Sequence, residues 1–128
     1  MKILDDVISL LPDHEGVRDI RQGVFHTAVW TRHCGLAATL PRDALRQAPP
    51  MVQHPGFLLE KGCRELIQLV KSDHILEAAM GMATINSLLD VDTGSCTELN
   101  AADLIMEKGE NKRIAIVGHF PFIPKVEK

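Results

Sequence analysis

Residues 73–90, DHILEAAMGMATINSLLD, constrain this chain more than any other stretch. Asp73 is a good N-cap, and about five turns follow without a proline. Ile75, Leu76, Ala79, Met80, Met82, Ala83, Ile85, Leu88 and Leu89 place apolar groups almost all round the helix. A helix that is apolar on every side is a buried one. Ala78, Ala79, Gly81 and Ala83 leave it thin in the middle, so a second backbone can come close. Close approach is also the best reason for Gly81, because glycine inside a helix costs about 1 kcal/mol relative to alanine. Glu77 and Asn86 are the two polar residues that need partners. They stand nine positions apart, and at 3.6 residues per turn they face opposite sides. One straight helix cannot offer both to the same small ligand.

The flanking segments supply what the helix packs on. Ile3, Leu4, Val7, Ile8 and Leu11 give residues 2–11 an apolar stripe that Pro12 ends. Val17–Thr31 reads as one long strand, bent at Gly23, with Cys34–Leu40 as its antiparallel partner. A two-residue turn at Arg32-His33 would pair Thr31 with Cys34, Val29 with Leu36, Thr27 with Ala38 and Phe25 with Leu40. Phe25, Thr27, Val29, Leu36, Ala38 and Leu40 then form the core face, with Trp30 covering Gly35 on the other. Pro41–Gly56 holds four prolines and reads as a long loop. Glu60–Lys71 is a second amphipathic helix with Cys63, Leu66, Ile67 and Val70 inward, forming a tight helical hairpin with 73–90. Val91–Thr97 is a polar loop, and Asn100 caps a short helix closed by Gly109. Arg113–Val117, RIAIV, has the pattern of a parallel-sheet strand covered on both faces. The fold class is α+β: a small antiparallel sheet packed on helices, followed by a C-terminal helix and one orphan strand.

Composition removes several functions. The 128 residues suit one domain with a proper core. A net charge of −3 with scattered basic residues gives no footprint for nucleic acid. Four Phe, one Trp and no Tyr offer no stacking platform. Cys34, Cys63 and Cys96 are odd in number and far apart, which implies a reduced, cytoplasmic protein. Asp5 and Asp6 interrupt the N-terminal apolar run, so it is neither a signal nor a transit peptide. No apolar run approaches the ~20 residues of a membrane span.

Four phrases resemble a known family in order: GVFHTAVWT with CGLAATL, HPGFLLEKGCRELIQLV, HILEAAMGMATINSLL and IAIVGHFPFIPK. The chain is identified by them as similar to the heavy-metal chelation proteins, a domain family of unknown function. The resemblance implies a domain like the enolase N-terminal domain, followed by a Rossmann-like domain, with a site in the cleft between them for a metal or metal-containing ligand. On this basis residues 1–92 are the enolase N-terminal-like domain. Residues 93–128 are the linking helix and first strand of an incomplete Rossmann-like domain.

The candidate site residues are Glu77, Asn86, Gly118, His119 and Phe120, with His119 as the metal ligand. Glu77 reads first as a helix-start carboxylate or buried hydrogen-bond acceptor and second as a site residue. Asn86 reads first as a tie between the helix end and a neighbouring loop, and second as a ligand contact. His119 follows a buried-type strand and a glycine, at the edge where open α/β sheets bind ligands. GHFPF is not a phosphate loop. His26, His33 and Cys34 are the one tight group of soft donors, but they lack metal-site spacing and would not converge. His14, His54 and His74 read as solvated residues. Cys63 reads as core and Cys96 as a loop thiol.

No catalytic motif is visible. The leading expectation is a metal- or small-ligand-binding protein, with a divalent or heavy-metal ion as the cofactor class. Its site would lie at the junction of the first domain with the Rossmann-like segment or a partner subunit. The alternative is a non-catalytic oligomerising or regulatory module. The partner expected is a second copy or a full-length relative, joined through the C-terminal strand. An enzyme with a shared site ranks third.

Overall fold

The computed structural model describes residues 2–12, 14–39 and 52–126. The chain divides into two compact units, Met1–Asp90 and Val91–Lys128.

The first unit is α+β. Helix α1 (Lys2–Ser9) precedes strands β1 (Asp19–Gln22), β2 (His26–Trp30) and β3 (Cys34–Ala38). The strands form an antiparallel sheet in the order β1-β2-β3. A 3-10 segment at Pro55–Glu60 leads into α2 (Cys63–Gln68), a 3-10 turn at Leu69–Lys71, and α3 (Ile75–Leu88). Part of the long loop expected from Pro41 lies outside the described residues, as does Leu40; Phe25, expected opposite Leu40, instead takes the Thr39 N–H on its carbonyl at 2.9 Å.

The long strand expected over 17–31 is two strands. At Gly23 the chain reverses rather than bends, and the Gly23 N–H donates to the His26 carbonyl at 2.9 Å. The β2–β3 register also differs by one residue. Trp30 pairs with Cys34, Val29 with Gly35 and Thr27 with Ala37, so the tip is Thr31-Arg32-His33 rather than two residues. A one-residue slip turns a whole strand over. Thr27 and Val29 face the core as expected, but their companions are Gly35, Ala37 and Thr39. Cys34, Leu36 and Ala38 face outward, and Phe25 is exposed.

Gly35 is the physical reason for that register. A Cβ there would collide with the Ala83 carbonyl oxygen and the Ser87 backbone. The strand must therefore turn a bare backbone toward α3, and a leucine in that place could not fit. Trp30 lies outward and takes the Arg18 guanidinium at 5.8 Å from its ring centroid, instead of covering Gly35.

Gly81 acts as its place in the helix predicts. A Cβ there would collide with the backbone of Leu69 and Val70, so the turn after α2 lies directly on α3. Cys63, Leu66, Ile67, Met80, Ala83, Ile85 and Leu88 are buried. Leu4, Val7, Ile8 and Leu11 of the N-terminal segment pack on this core, while Ile3 is exposed.

Three details of α3 depart from the expectation. Its N-cap residue is His74, without a side-chain bond, and Asp73 precedes it. Ser72 instead accepts from the His74 N–H at 3.1 Å. One narrow stripe, Met82, Asn86 and Leu89, is exposed. A set of buried hydroxyls also joins helix to sheet. Thr31 Oγ1 lies 2.7 Å from Ser87 Oγ, and Thr27 Oγ1 lies 2.9 Å from Thr39 Oγ1. No buried side-chain polar atom lacks a partner among the described residues.

In the second unit, α4 (Ala101–Gly109) is capped as expected: Asn100 Oδ1 accepts from the Ala102 N–H at 2.9 Å. Asn111 then turns the chain at φ 57°. Arg113–Val117 is not a buried strand. It carries no regular secondary structure, Val117 is 95% exposed, and no backbone pairing involves these residues among those described. A strand of a parallel sheet needs neighbours on its edges, and the described residues provide none. A short helix, α5 (Ile123–Val126), follows. No helix among the described residues is long and apolar enough to cross a membrane.

Candidate functional site

Glu77 sits in the first turn of α3 and is only 4% exposed. Its two carboxylate oxygens accept from different segments. One takes the Gln53 backbone N–H at 2.9 Å, the other the Ser72 hydroxyl at 2.5 Å. Burial is the largest single influence on this carboxyl and pushes its pKa up. The Ser72 and Gln53 bonds and the charges of His74 and Lys61 together outweigh it, so the group is held below the ordinary glutamate range. The arrangement is an ionised acceptor that fixes residues 53 and 72 against the start of α3. Ser72 and Gln53 were not singled out from the sequence. A serine five residues before a glutamate matches no capping signature, and Gln53 contributes only its backbone.

Asn86 lies on the exposed stripe of α3, away from Glu77, as the helical phase requires. Its Nδ2 donates to the Leu36 carbonyl at 2.7 Å. The two residues thus bind different elements.

Gly118, His119 and Phe120 belong to the second unit. Gly118 has φ 119°, a conformation that favours glycine. His119 is exposed, and the Phe120 ring stacks on Phe122 with centroids 5.4 Å apart. A cavity of about 450 Å³ lies beside the C-terminal end of α4, lined by Met106, Glu110, Lys112, Ile114 and Lys125 among others. Gly118, His119 and Phe120 do not line it. Its lining carries both acidic and basic side chains, and the helix end that borders it carries partial negative charge.

The soft donors stay apart. His26 and Cys34 point from the outer face of the sheet. His33, at the hairpin tip, meets Asp90 at 3.1 Å, and Arg32 joins Asp90 and Glu15 at 2.7 Å each. Cys34, Cys63 and Cys96 are free thiols. Among the described residues, no three His, Cys, Asp or Glu side chains group so as to hold a metal ion. The described residues therefore do not fit a metal centre by themselves.

The chain belongs to the family described as "Putative heavy-metal chelation" (DUF4213), whose model matches residues 4–89. That match ends one residue short of the boundary between the two units. Among solved structures, the chain is similar to a protein of unknown function from the DUF364 family of Desulfitobacterium hafniense. That likeness has a TM-score of 0.76 at 22% identity, over 98% of this chain and 52% of the other. A DUF364 protein of unknown function from Pyrococcus horikoshii gives 0.66 at 24% identity, over 98% and 50%. At these identities the likeness is one of fold. The chain spans about half the length of the solved structures it matches. Comparison with curated proteins gives no match.

Proposed function

We propose that this protein is a metal- or small-ligand-binding module of chelation type that works in association with a partner subunit. The observation that carries this reading is the segment 113–119. Arg113–Val117 is rich in β-branched residues, exposed, and without a backbone partner among the described residues. Such a run gains most by joining a sheet, and the sheet would come from a second copy or a two-domain relative with a Rossmann-like half. Pairing would bring Gly118, His119 and Phe120 to the carboxyl end of a sheet strand, where ligands of open α/β sheets gather. His119 would then be one donor, and the partner would supply the others. Family membership supports the ligand class. The scattered donors of the described residues support the need for a partner.

The test is light scattering together with thermal unfolding, with and without Zn²⁺, Ni²⁺ or Cd²⁺. The reading predicts association that Val117→Lys abolishes, and a metal-dependent rise in Tm that His119→Ala removes. A monomer at all concentrations with no metal response would overturn it. Association with no metal response would favour the second reading, a non-catalytic oligomerising or regulatory module. The absence of any three-donor group among the described residues speaks for that alternative.

A further inference from the structure

The sheet has two edges, and each is occupied by a side chain at the point where another strand would add. In the β2–β3 ladder, Thr31 N–H donates to the His33 carbonyl at 3.0 Å and Thr39 N–H to the Phe25 carbonyl at 2.9 Å. Antiparallel ladders alternate. The odd-numbered residues of β3 therefore bond inward to β2, and Cys34, Leu36 and Ala38 turn their N–H and C=O groups to the edge that no strand among the described residues occupies. β3 reads CGLAA, with no charge and no proline of its own, and Leu36 and the neighbouring Trp30 expose apolar surface on the outer face. An uncharged edge with an apolar face is a template for a second chain.

α3 packs on this strand, with one bond at the hairpin tip and one at the edge. The His33 N–H donates to the Ser87 carbonyl at 3.1 Å, and Asn86 reaches from the exposed stripe to the outward Leu36 carbonyl at 2.7 Å. The β1 edge follows the same logic. The Gly23–His26 bond sets Ile20 and Gln22 outward, and the Ile20 N–H is taken at 2.9 Å by Oδ1 of Asp19. The other oxygen of Asp19 is held by Arg21 Nε at 2.8 Å. β1 is also only four residues long.

We infer that Asn86 and Asp19 close the two edges of this sheet to strand addition by a second copy of the chain. Asn86 is then a guard of the quaternary state, whose amide occupies the middle carbonyl of a strand with no charge or proline of its own. This inference concerns the sheet alone and holds whether or not copies join through residues 113–117.

The experiment compares the full chain with Asn86→Ala, Asp19→Ala and the double variant. Sedimentation velocity is run over a concentration series, with infrared spectra to detect intermolecular β-structure. The double variant should associate further than the wild type at about tenfold lower concentration and gain an intermolecular β band. Added to Asn86→Ala alone, Ala38→Lys, which charges the β3 edge, should reverse that variant's association and its intermolecular β band. Asn86→Ala removes one exposed bond and adds a strong helix former, so it gives the same reading, more weakly, should the double variant not fold. A folded variant that sediments like the wild type throughout would overturn the inference. So would association of the Asn86→Ala variant that Ala38→Lys leaves unchanged.

Discussion

Gly35 on β3 and Ser87 on α3 approach so closely that a methyl group at position 35 would collide with the Ser87 backbone. Neither partner is the tip of a flexible side chain, so the collision cannot be relieved by a rotamer change. Gly35→Ala should therefore destabilise the protein by about 3 kcal/mol or more, a large part of a total of about 5–15 kcal/mol. Urea unfolding measures this. Gly56→Ala, where an added Cβ meets nothing within 4 Å, should stay within about 0.5 kcal/mol of the wild type.

Thr31 and Ser87 test the buried hydroxyl links. Thr31 Oγ1 lies 2.7 Å from Ser87 Oγ and donates to the Ser87 carbonyl at 3.1 Å, while Ser87 Oγ also donates to the Thr84 carbonyl at 2.7 Å. Thr31→Val keeps the shape and leaves the serine hydroxyl with a second partner. A cost of about 1 kcal/mol is expected. A double-mutant cycle with Ser87→Ala should give an interaction energy of similar size.

Glu77 makes stability depend on pH. Its folded pKa is depressed below 4.5, so its contribution is complete above that value and is lost as pH falls through the folded pKa. Glu77→Gln should cost about 1–3 kcal/mol at pH 7, because the Ser72 and Gln53 donors lose a charged acceptor. The variant should also show a flatter stability profile below pH 4.5 than the wild type. An unchanged profile in urea titrations across that range would contradict the assignment.

The three thiols should react in two classes. Cys34 and Cys96 are exposed and Cys63 is buried. Burial first, and the nearby Glu15 charge second, push the Cys63 thiol up from its ordinary value. A thiol-specific reagent should modify Cys34 and Cys96 in the native protein and Cys63 only on denaturation. Rapid native labelling of Cys63 would show that the α2–α3 packing opens readily.

The helical part of the fold was legible because its signals are local. The thin middle of α3 around Gly81, the inward set of α2 and the Asn100 cap each follow from residues within one or two turns. The sheet was harder. β2 announced its faces through Thr27 and Val29, whereas CGLAA is apolar at nearly every position, so alternation alone could not say which face is inward. Gly35 carried the answer, since a glycine among small residues marks a backbone against which something packs closely. Hairpin geometry with a two-residue turn makes it instead a place for Trp30 to cover. Residues 113–117 failed for another reason: β-propensity describes a preference that only neighbouring strands can satisfy. For the candidate site, Glu77 and Asn86 could be set on opposite sides from helix geometry. Their partners, a backbone amide at 53, a hydroxyl at 72 and a carbonyl at 36, are long-range or unpatterned and leave no mark in the sequence.

The three-residue tip between Trp30 and Cys34 decides what this protein shows to its surroundings. With Thr31, Arg32 and His33 in place, the bare side of β3 meets the helix, and the cysteine, leucine and alanine side chains look out. Removing one residue there would roll the strand half a turn and drive Leu36 into a gap that admits only a hydrogen atom. Loop length here is not neutral filler: a single-codon deletion would exchange inside for outside along the whole strand, and the helix would have to retreat to accommodate it.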